Sequence, residues 1–589
     1  MPLRPRRIVL ARAVAAALLV LPVCWLAATA ATPSATSTFR NDPDRLVFVT
    51  VHWRDRAQLQ RIAANFQHLI IDEKARTART EASAADLATL RRLGVRVDID
   101  DASTERMRRA ESALAERETL SQRGLSGAAL RAEESIPGFS CYRTVEETYA
   151  TINSMAYYKP NLAKQFDIGP TWQWKNSGGA TGYRIKVLRL NNTATDARIP
   201  NKRNMVVLAA IHAREYTTAE LTTRFAEWLV NGYGTDADAT WLMDNFRFHF
   251  ILQANPDGRK KAESGLSWRK NVDTANGTCS ANAYGIDLNR NFPWRFGQVP
   301  NGSSGDPCAA TYRGPSSMSE PETQALMRYI VGTPNSQGVY EGGVLPDLRT
   351  DTGVAPTTYP GLFLDIHSFS QLVLWPWANT SASAPNMTDL RTLGRRLAYF
   401  NGYRPVQWIG MYPADGTNTD AVYGATGAPS YTIELGQSFF EDCATFESST
   451  YPRNLEALKY AARTLNAPYT YAGGPDTTSV GAAATTITAG QEFAVAGWFD
   501  DSRYNQNNGT EGVQAIAHAT AYLDGVPWAG GVRSFAMIPS DGVFNTSRER
   551  AYVNIPTGGL AKGMHTVYMR AVDASGRAGT AKAIRFRVQ

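Results

Sequence analysis

From about Ile136 to Ala467, apolar stretches of strand length alternate with amphipathic stretches of helix length. In order they are RIKVLRL, MVVLAAI, TTAELTTRFAEWLVNG, FRFHFILQANPDG, GLFLDIHS, TDLRTLGRRLAYF, YTIELG and NLEALKYAARTL. A run such as MVVLAAI lacks the polar alternate positions of a strand with one wet face, so both its faces need cover. Helices interleaved with such strands supply that cover, which predicts an α/β domain built on a largely buried, mixed sheet.

The flanks read differently. Residues 46–99 hold a smaller strand–helix–strand pattern: LVFVTVHW, the amphipathic RDRAQLQRIAANF, a strand or hairpin in HLIIDEKARTART, the helical SAADLATLRRLG, and VRVDID. An Arg-rich stretch of helical composition follows, read as an exposed connecting helix and a cleavable segment. Beyond Ala467, PYTYAGGPDTTSVGAAA has linker composition. The remaining segments, EFAVAGWF, ATAYLDG, AYVNIP, HTVYMRAVDASG and AIRFRVQ, are short strands between turns, which predicts a small β-sandwich.

The extreme N-terminus carries Arg4, Arg6, Arg7 and Arg12, then the apolar run AVAAALLVLPVCWLAA, then Ala28-Thr29-Ala30. That is the layout of a secretory leader, and the run is short for a membrane span. The formal charge is +7. Removing the four leader arginines leaves +3, which gives no electrostatic case for a nucleic-acid partner. Four cysteines remain after cleavage: Cys141, Cys279, Cys308 and Cys443. In an exported chain they suggest two disulfides, with three connectivities possible. Cys279 and Cys308 flank one loop and are paired here, which leaves Cys141 with Cys443.

The apolar run MVVLAAI ends in HARE. His212 and Glu215 then sit where a sheet places its ligand sites, at a strand's carboxyl end before a helix. H-x-x-E alone is a common pair. His367 ends another apolar strand, GLFLDI, and two His with one Glu form a recurrent catalytic zinc set that leaves one position open. Of the other histidines, His52 and His68 lie in the N-terminal part, His518 and His565 in the tail, and His249, flanked by Phe, reads as a core residue. Taken singly, His367 reads better as a satisfied sheet-edge histidine. Glu434, in TIELG, is a candidate base, and Arg269, Asn289 and Arg290 are cationic and amide groups suited to a carboxylate.

Together these motifs resemble the zinc metallocarboxypeptidases of the carboxypeptidase A and B type, over about 136–467 and in the family's order. The resemblance implies a mixed eight-stranded sheet flanked by helices and one zinc ion held by His212, Glu215 and His367. It implies Glu434 as general base and Arg269, in SWRKN, as the group that polarises the carbonyl. Asn289 and Arg290, in DLNRNF, would clamp the substrate's terminal carboxylate. Arg214 would bind substrate, and Tyr412, in MYPADGTNTD, would cap it. It also places a disulfide at Cys279 and Cys308, and it makes the N-terminal part similar to the pro-domain of secreted procarboxypeptidases. The tail resembles a bacterial immunoglobulin-like module.

The domain reading that follows is a leader at 1–30, a propeptide at 31–135, a catalytic domain at 136–467, a linker at 468–482 and a β-sandwich at 483–589. Thr419 stands at the pocket floor, where basic-specific members carry Asp, so an apolar or mixed preference is expected. Phe369 stands where many members have Tyr. The expected partners are peptide or protein C-termini and an activating protease. No nucleic acid and no membrane are expected for the mature form, which is read as a monomer. The alternatives are a peptidoglycan stem-peptide peptidase of the same family and a non-catalytic binding protein.

Overall fold

The computed structural model describes residues 46–589 apart from 64, 67, 106–107, 109–134 and 281–282. The leader at 1–30 and most of the connecting stretch lie outside the described residues. Among the described residues, no helix is long and apolar enough to cross a membrane.

Near the N-terminus, β1 (Val47–His52), β2 (Ile70–Asp72), β3 (Thr77–Ala82) and β4 (Arg96–Ile99) form an antiparallel sheet in the order β2-β3-β1-β4. The helices Arg56–Ala63 and Ala84–Arg92 accompany it, and Val49, Val51, Ile62, Leu69, Ala78 and Leu90 form its core. The second helix starts at a capping box in which Ser83 and Asp86 satisfy each other's backbone N–H.

The central sheet has eight strands. They are β5 (Ala163–Pro170), β6 (Arg184–Leu190), β7 (Arg203–Ala209), β8 (Phe246–Ile251), β11 (Gly361–Ser368), β12 (Leu372–Trp375), β13 (Arg404–Gln407) and β14 (Ser430–Leu435). A separate hairpin supplies β9 (Gly332–Pro334) and β10 (Tyr340–Gly342). The order is β13-β12-β14-β11-β7-β8-β6-β5. The middle four strands, β14-β11-β7-β8, run parallel, and the sheet turns antiparallel on either side. Every residue of β11 is buried, as the largely apolar run GLFLDI requires of a strand covered on both faces. Helices flank the sheet, among them Tyr216–Gly232, Met387–Asn401 and Tyr451–Thr464.

The tail forms two sheets. One has four strands, including Asp476–Ala482, Glu492–Asp500 and Arg548–Pro556, and the other has five, including Ile516–Leu523, Gly563–Asp573 and Lys582–Val588. Arg548–Pro556 alternates exposed and buried residues along its whole length, so one face packs inward. Phe493, Val495, Phe499 and Ile555 from one sheet share a core with Val567, Met569 and Phe586 from the other.

The stretch expected as a linker is ordered. Pro468–Tyr471 is a helical turn, and Asp476–Ala482 is the first strand of the sandwich, paired with Glu492–Asp500. Its small residues fit closely rather than swinging free. The tail also shares the main core: Trp528 stacks on Phe246 with ring centroids 5.9 Å apart, and Trp241 meets both Trp528 and Tyr568 edge-on.

Two helix arginines lock the contact. Arg395 donates to the carbonyls of Asn505, Asn507, Asn508 and Gly509. Arg396, fully buried, donates to Ala472 and Gly474 carbonyls, to Tyr504 Oη and to Asp501. Arg396→Met should therefore leave Asp501 buried without its guanidinium partner, though still accepting from Gln514 N, at a cost of about 3–5 kcal/mol. In calorimetry the tail and central domain are expected to melt as one transition, lowered as a whole by the substitution. Two transitions, only the tail's shifted, would show independent units.

Candidate metal centre and active site

The parallel strands β7, β11 and β14 end side by side, and the candidate residues cluster at their carboxyl ends. Parallel register places His367 of β11 directly opposite Glu434 of β14. β7 stops at Ala209, and Ala210 turns the chain with a positive φ of 55°, a left-handed conformation that costs a non-glycine residue about 1–2 kcal/mol. That turn delivers His212 and Glu215 to the site. Glu215 occupies the N-cap position of the helix Tyr216–Gly232 but makes no capping bond. Its carboxylate faces the two imidazoles instead.

His212 Nδ1 lies 2.7 Å from Glu215 Oε1, and His367 Nδ1 lies 3.1 Å from Glu215 Oε2 and 3.1 Å from His212 Nδ1. Among the described residues, this trio alone brings three or more His, Cys, Asp or Glu donor atoms close enough to share an ion. Both rings turn their other nitrogen outward onto a carboxylate. His212 Nε2 is 3.0 Å from Asp287 Oδ1, and His367 Nε2 is 2.6 Å from Asp365 Oδ2. Proton donation to those carboxylates fixes each ring's tautomer and leaves the Nδ1 lone pairs converging, the arrangement that metal-bound histidines adopt.

The charges agree with a divalent cation. Glu215, Asp287 and Asp365 are fully buried carboxylates, and among the described residues Arg269 is the one Arg or Lys side chain paired with any of them. Two negative charges remain, the charge that one divalent ion cancels, and two His with one carboxylate fit zinc.

The remaining predicted residues surround this point. Glu434 is buried, and its Oε2 has no hydrogen-bond partner among the described residues. Burial pushes its carboxyl up to about 8, against the pull of His367. Arg269 holds Asp287 with two nitrogens, so Asp287 braces both a metal-ligand candidate and a cation. Arg290 uses Nε on Gly302 O and Nη1 on Asn289 O, while Nη2 is buried without a partner. Asn289 Oδ1 accepts from Asn418 N, and its Nδ2 lies 3.2 Å from His367 Nε2.

Tyr412 packs in an apolar cluster with Leu374, Ala378, Val406, Trp408, Met411 and Ala414. Thr419 Oγ1 pairs with Thr432 Oγ1 at 2.7 Å, and neighbouring Asp420 accepts from Ala378 N. Arg214 lies over the Phe439 ring at 3.8 Å and donates to Ser267 Oγ. His249 is a core residue as expected, bonded to Tyr329 and Asn204. Cys141 is bonded to Cys443 and Cys279 to Cys308.

The family model for zinc carboxypeptidases matches residues 148–449, just over half of the chain. The chain belongs to the zinc carboxypeptidase family. It is 27% identical to rat carboxypeptidase A1 over 305 residues, which is 50% of this chain and 63% of the rat protein, so less than two thirds of that relative is spanned. Mouse carboxypeptidase A1 matches at 25% over 394 residues, 65% of this chain and 84% of the mouse protein. The crystal structure of carboxypeptidase A from Helicoverpa armigera overlays with a TM-score of 0.53 at 22% identity, covering 72% of this chain and 98% of that one, a likeness of fold.

Three residues of this candidate site were not singled out from sequence: His68, Asp287 and Asp365. Asp365 left a signal, an acid inside an apolar strand two places before His367 and hence on the same face. Asp365→Asn keeps the shape and removes the charge. It is expected to weaken zinc binding about 10–100-fold, measured as zinc transfer to a competing chelator; unchanged affinity would leave Asp365 a packing residue.

Proposed function

We propose that this chain is a secreted zinc carboxypeptidase, made as a latent precursor, that removes single residues from peptide C-termini. The observation that carries the reading is the buried Nη2 of Arg290, without a hydrogen-bond partner among the described residues, on the residue next to Asn289, whose Nδ2 is 3.2 Å from His367 Nε2. A free guanidinium nitrogen beside a hydrolytic centre asks for an anion, and the anion every peptide end offers is its carboxylate.

Bound zinc supplies a Lewis acid and an acidified water. The chain's own residues do the rest. Arg290, with Asn289 and Tyr412, holds the terminal carboxylate and so positions the last peptide bond. Arg269 donates to that bond's carbonyl oxygen, where negative charge develops. Glu434 takes a proton from the attacking water and hands it to the departing nitrogen, a task suited to a carboxyl raised by burial. Asp287 keeps Arg269 and His212 in fixed relation.

The apolar cluster around Tyr412, and a Thr419 tied to Thr432 where an acid would select Lys or Arg, support an apolar or mixed preference. The leader-like N-terminus and the two disulfides support export. We read 31–135 as the propeptide, 136–467 as the catalytic domain and the tail as an immunoglobulin-like sandwich, built against the catalytic domain rather than tethered to it.

Glu434→Gln is expected to lower kcat by about 10²–10⁴ while zinc content stays unchanged; undiminished turnover would refute its role. On a peptide pair differing only in a free or amidated C-terminus, the wild type, once cut free of its N-terminal unit, should cleave the free acid alone. Arg290→Ala should raise KM for the free acid about 10–100-fold, the loss of one charge-assisted contact. Equal cleavage of both peptides would overturn the exopeptidase reading.

A further inference from the structure

His68 belongs to the N-terminal unit, on the short segment between the helix Arg56–Ala63 and β2, yet its ring lies inside the catalytic centre. It packs edge-on to Phe439 at 4.8 Å between centroids and stacks with Phe369 at 5.8 Å. Its Nδ1 is 3.3 Å from the Phe369 carbonyl and 3.9 Å from Glu434 Oε2, and its Nε2 is 3.3 Å from Arg269 Nη1.

One protonation state satisfies these neighbours. A carbonyl only accepts and a guanidinium only donates, so Nδ1 carries the proton and Nε2 presents its lone pair to Arg269. That is the neutral imidazole, and burial, reinforced by Arg269, holds its pKa well below 6.5. An uncharged acceptor on Arg269 is what a peptide carbonyl oxygen offers to the same group. Packing alone does not account for the placement, because a leucine would fill the gap between two phenylalanines without leaving polar atoms to satisfy.

We infer that His68 is a built-in occupant of the active site: it takes the scissile carbonyl's place on Arg269 and bars approach to Glu434. This rests on the reading of the site as a peptidase centre. His68 stands outside the trio that converges on the metal position, so it blocks the substrate and not the ion. The rest of the unit holds it there. Leu69 N donates to Ser370 Oγ, Arg79 to Gln437, Phe439 N to Glu81, and Arg404 to Glu73, while Ile71 packs on the apolar cluster of Tyr412. These anchors ring the site, and His68 is the side chain at its centre.

The test uses the uncut, zinc-loaded chain and a small N-blocked dipeptide with a free C-terminus. Wild type is assayed before and after limited proteolysis that separates the N-terminal unit. Uncut His68→Ala is expected to hydrolyse the dipeptide at least tenfold faster than uncut wild type, with unchanged zinc content. His68→Gln, which restores an acceptor of similar reach, should return toward the wild-type level. Glu73→Ala loosens an anchor remote from the centre and controls for simple uncovering.

If cut wild type is active and uncut His68→Ala stays as silent as uncut wild type, the inference is overturned. A rise in Glu73→Ala equal to that in His68→Ala overturns it too, since the block would then be coverage by the whole unit. If cut wild type and every variant are inactive, it is the peptidase reading that fails, and the inference falls with it.

Discussion

The imidazoles of His212 and His367 and the carboxylates of Glu215, Asp365 and Glu434 cluster at the buried ends of three parallel strands, with Asp287 beside them, and that arrangement cannot persist without compensating positive charge. An uncompensated buried carboxylate costs several kcal/mol, more than most single packing contacts return. Much of the surrounding architecture is explained by that demand. Arg269 is turned inward onto Asp287, and the helix Tyr216–Gly232 begins at Glu215 with its positive end toward the carboxylate. Glu215 gives up its capping bond to face the histidines. The strand order then becomes a consequence: β11 must lie between β7 and β14 for one point to receive side chains from all three.

The parts of this arrangement that follow local rules were legible in the sequence. Strand ends marked by a sudden polar residue after an apolar run located His212, His367 and Glu434, and the alternation of strands and helices located the sheet around them. What depends on distant pairing was not legible. His68 sits in another unit, and its position beside Arg269 comes from how two folded surfaces meet, which no periodicity encodes. The stretch 468–482 has the composition of a flexible link, yet its small residues allow Gly474 and Ala472 carbonyls to come within bonding distance of Arg396. Arg395 and Arg396 are charged residues of the helical stretch TDLRTLGRRLAYF, yet both are buried. A loop of the tail lays its carbonyls over Arg395, and Ala472, Gly474, Asp501 and Tyr504 enclose Arg396. Composition reports how many polar groups a segment holds, and says nothing of which distant segment satisfies them.

The same reasoning separates the two ends of the molecule. The tail meets the central domain through aromatic stacking and two buried guanidiniums that each donate several hydrogen bonds, interactions that require the partner to be folded. The N-terminal unit meets it through fewer contacts: His68 between Phe369 and Phe439, Ile71 on the Tyr412 cluster, and a few hydrogen bonds and ion pairs, including the part-exposed Glu73–Arg404 pair. Its exposed pairs are individually weak and screened by salt, which suits a unit that departs in the proposed life of this protein, whereas the broader seam of the tail suits one that stays.

The bond between Cys141 and Cys443 bears on that departure. It joins the chain just past the connecting stretch to a point 302 residues onward, and Tyr142 Oη donates nearby to the Glu441 carbonyl. A cut anywhere ahead of Ile136 would create a new chain end, and fresh ends ordinarily fray. Here the fraying could run only a few residues before reaching a covalent knot, so the shortened molecule would start life with its loose end already fastened.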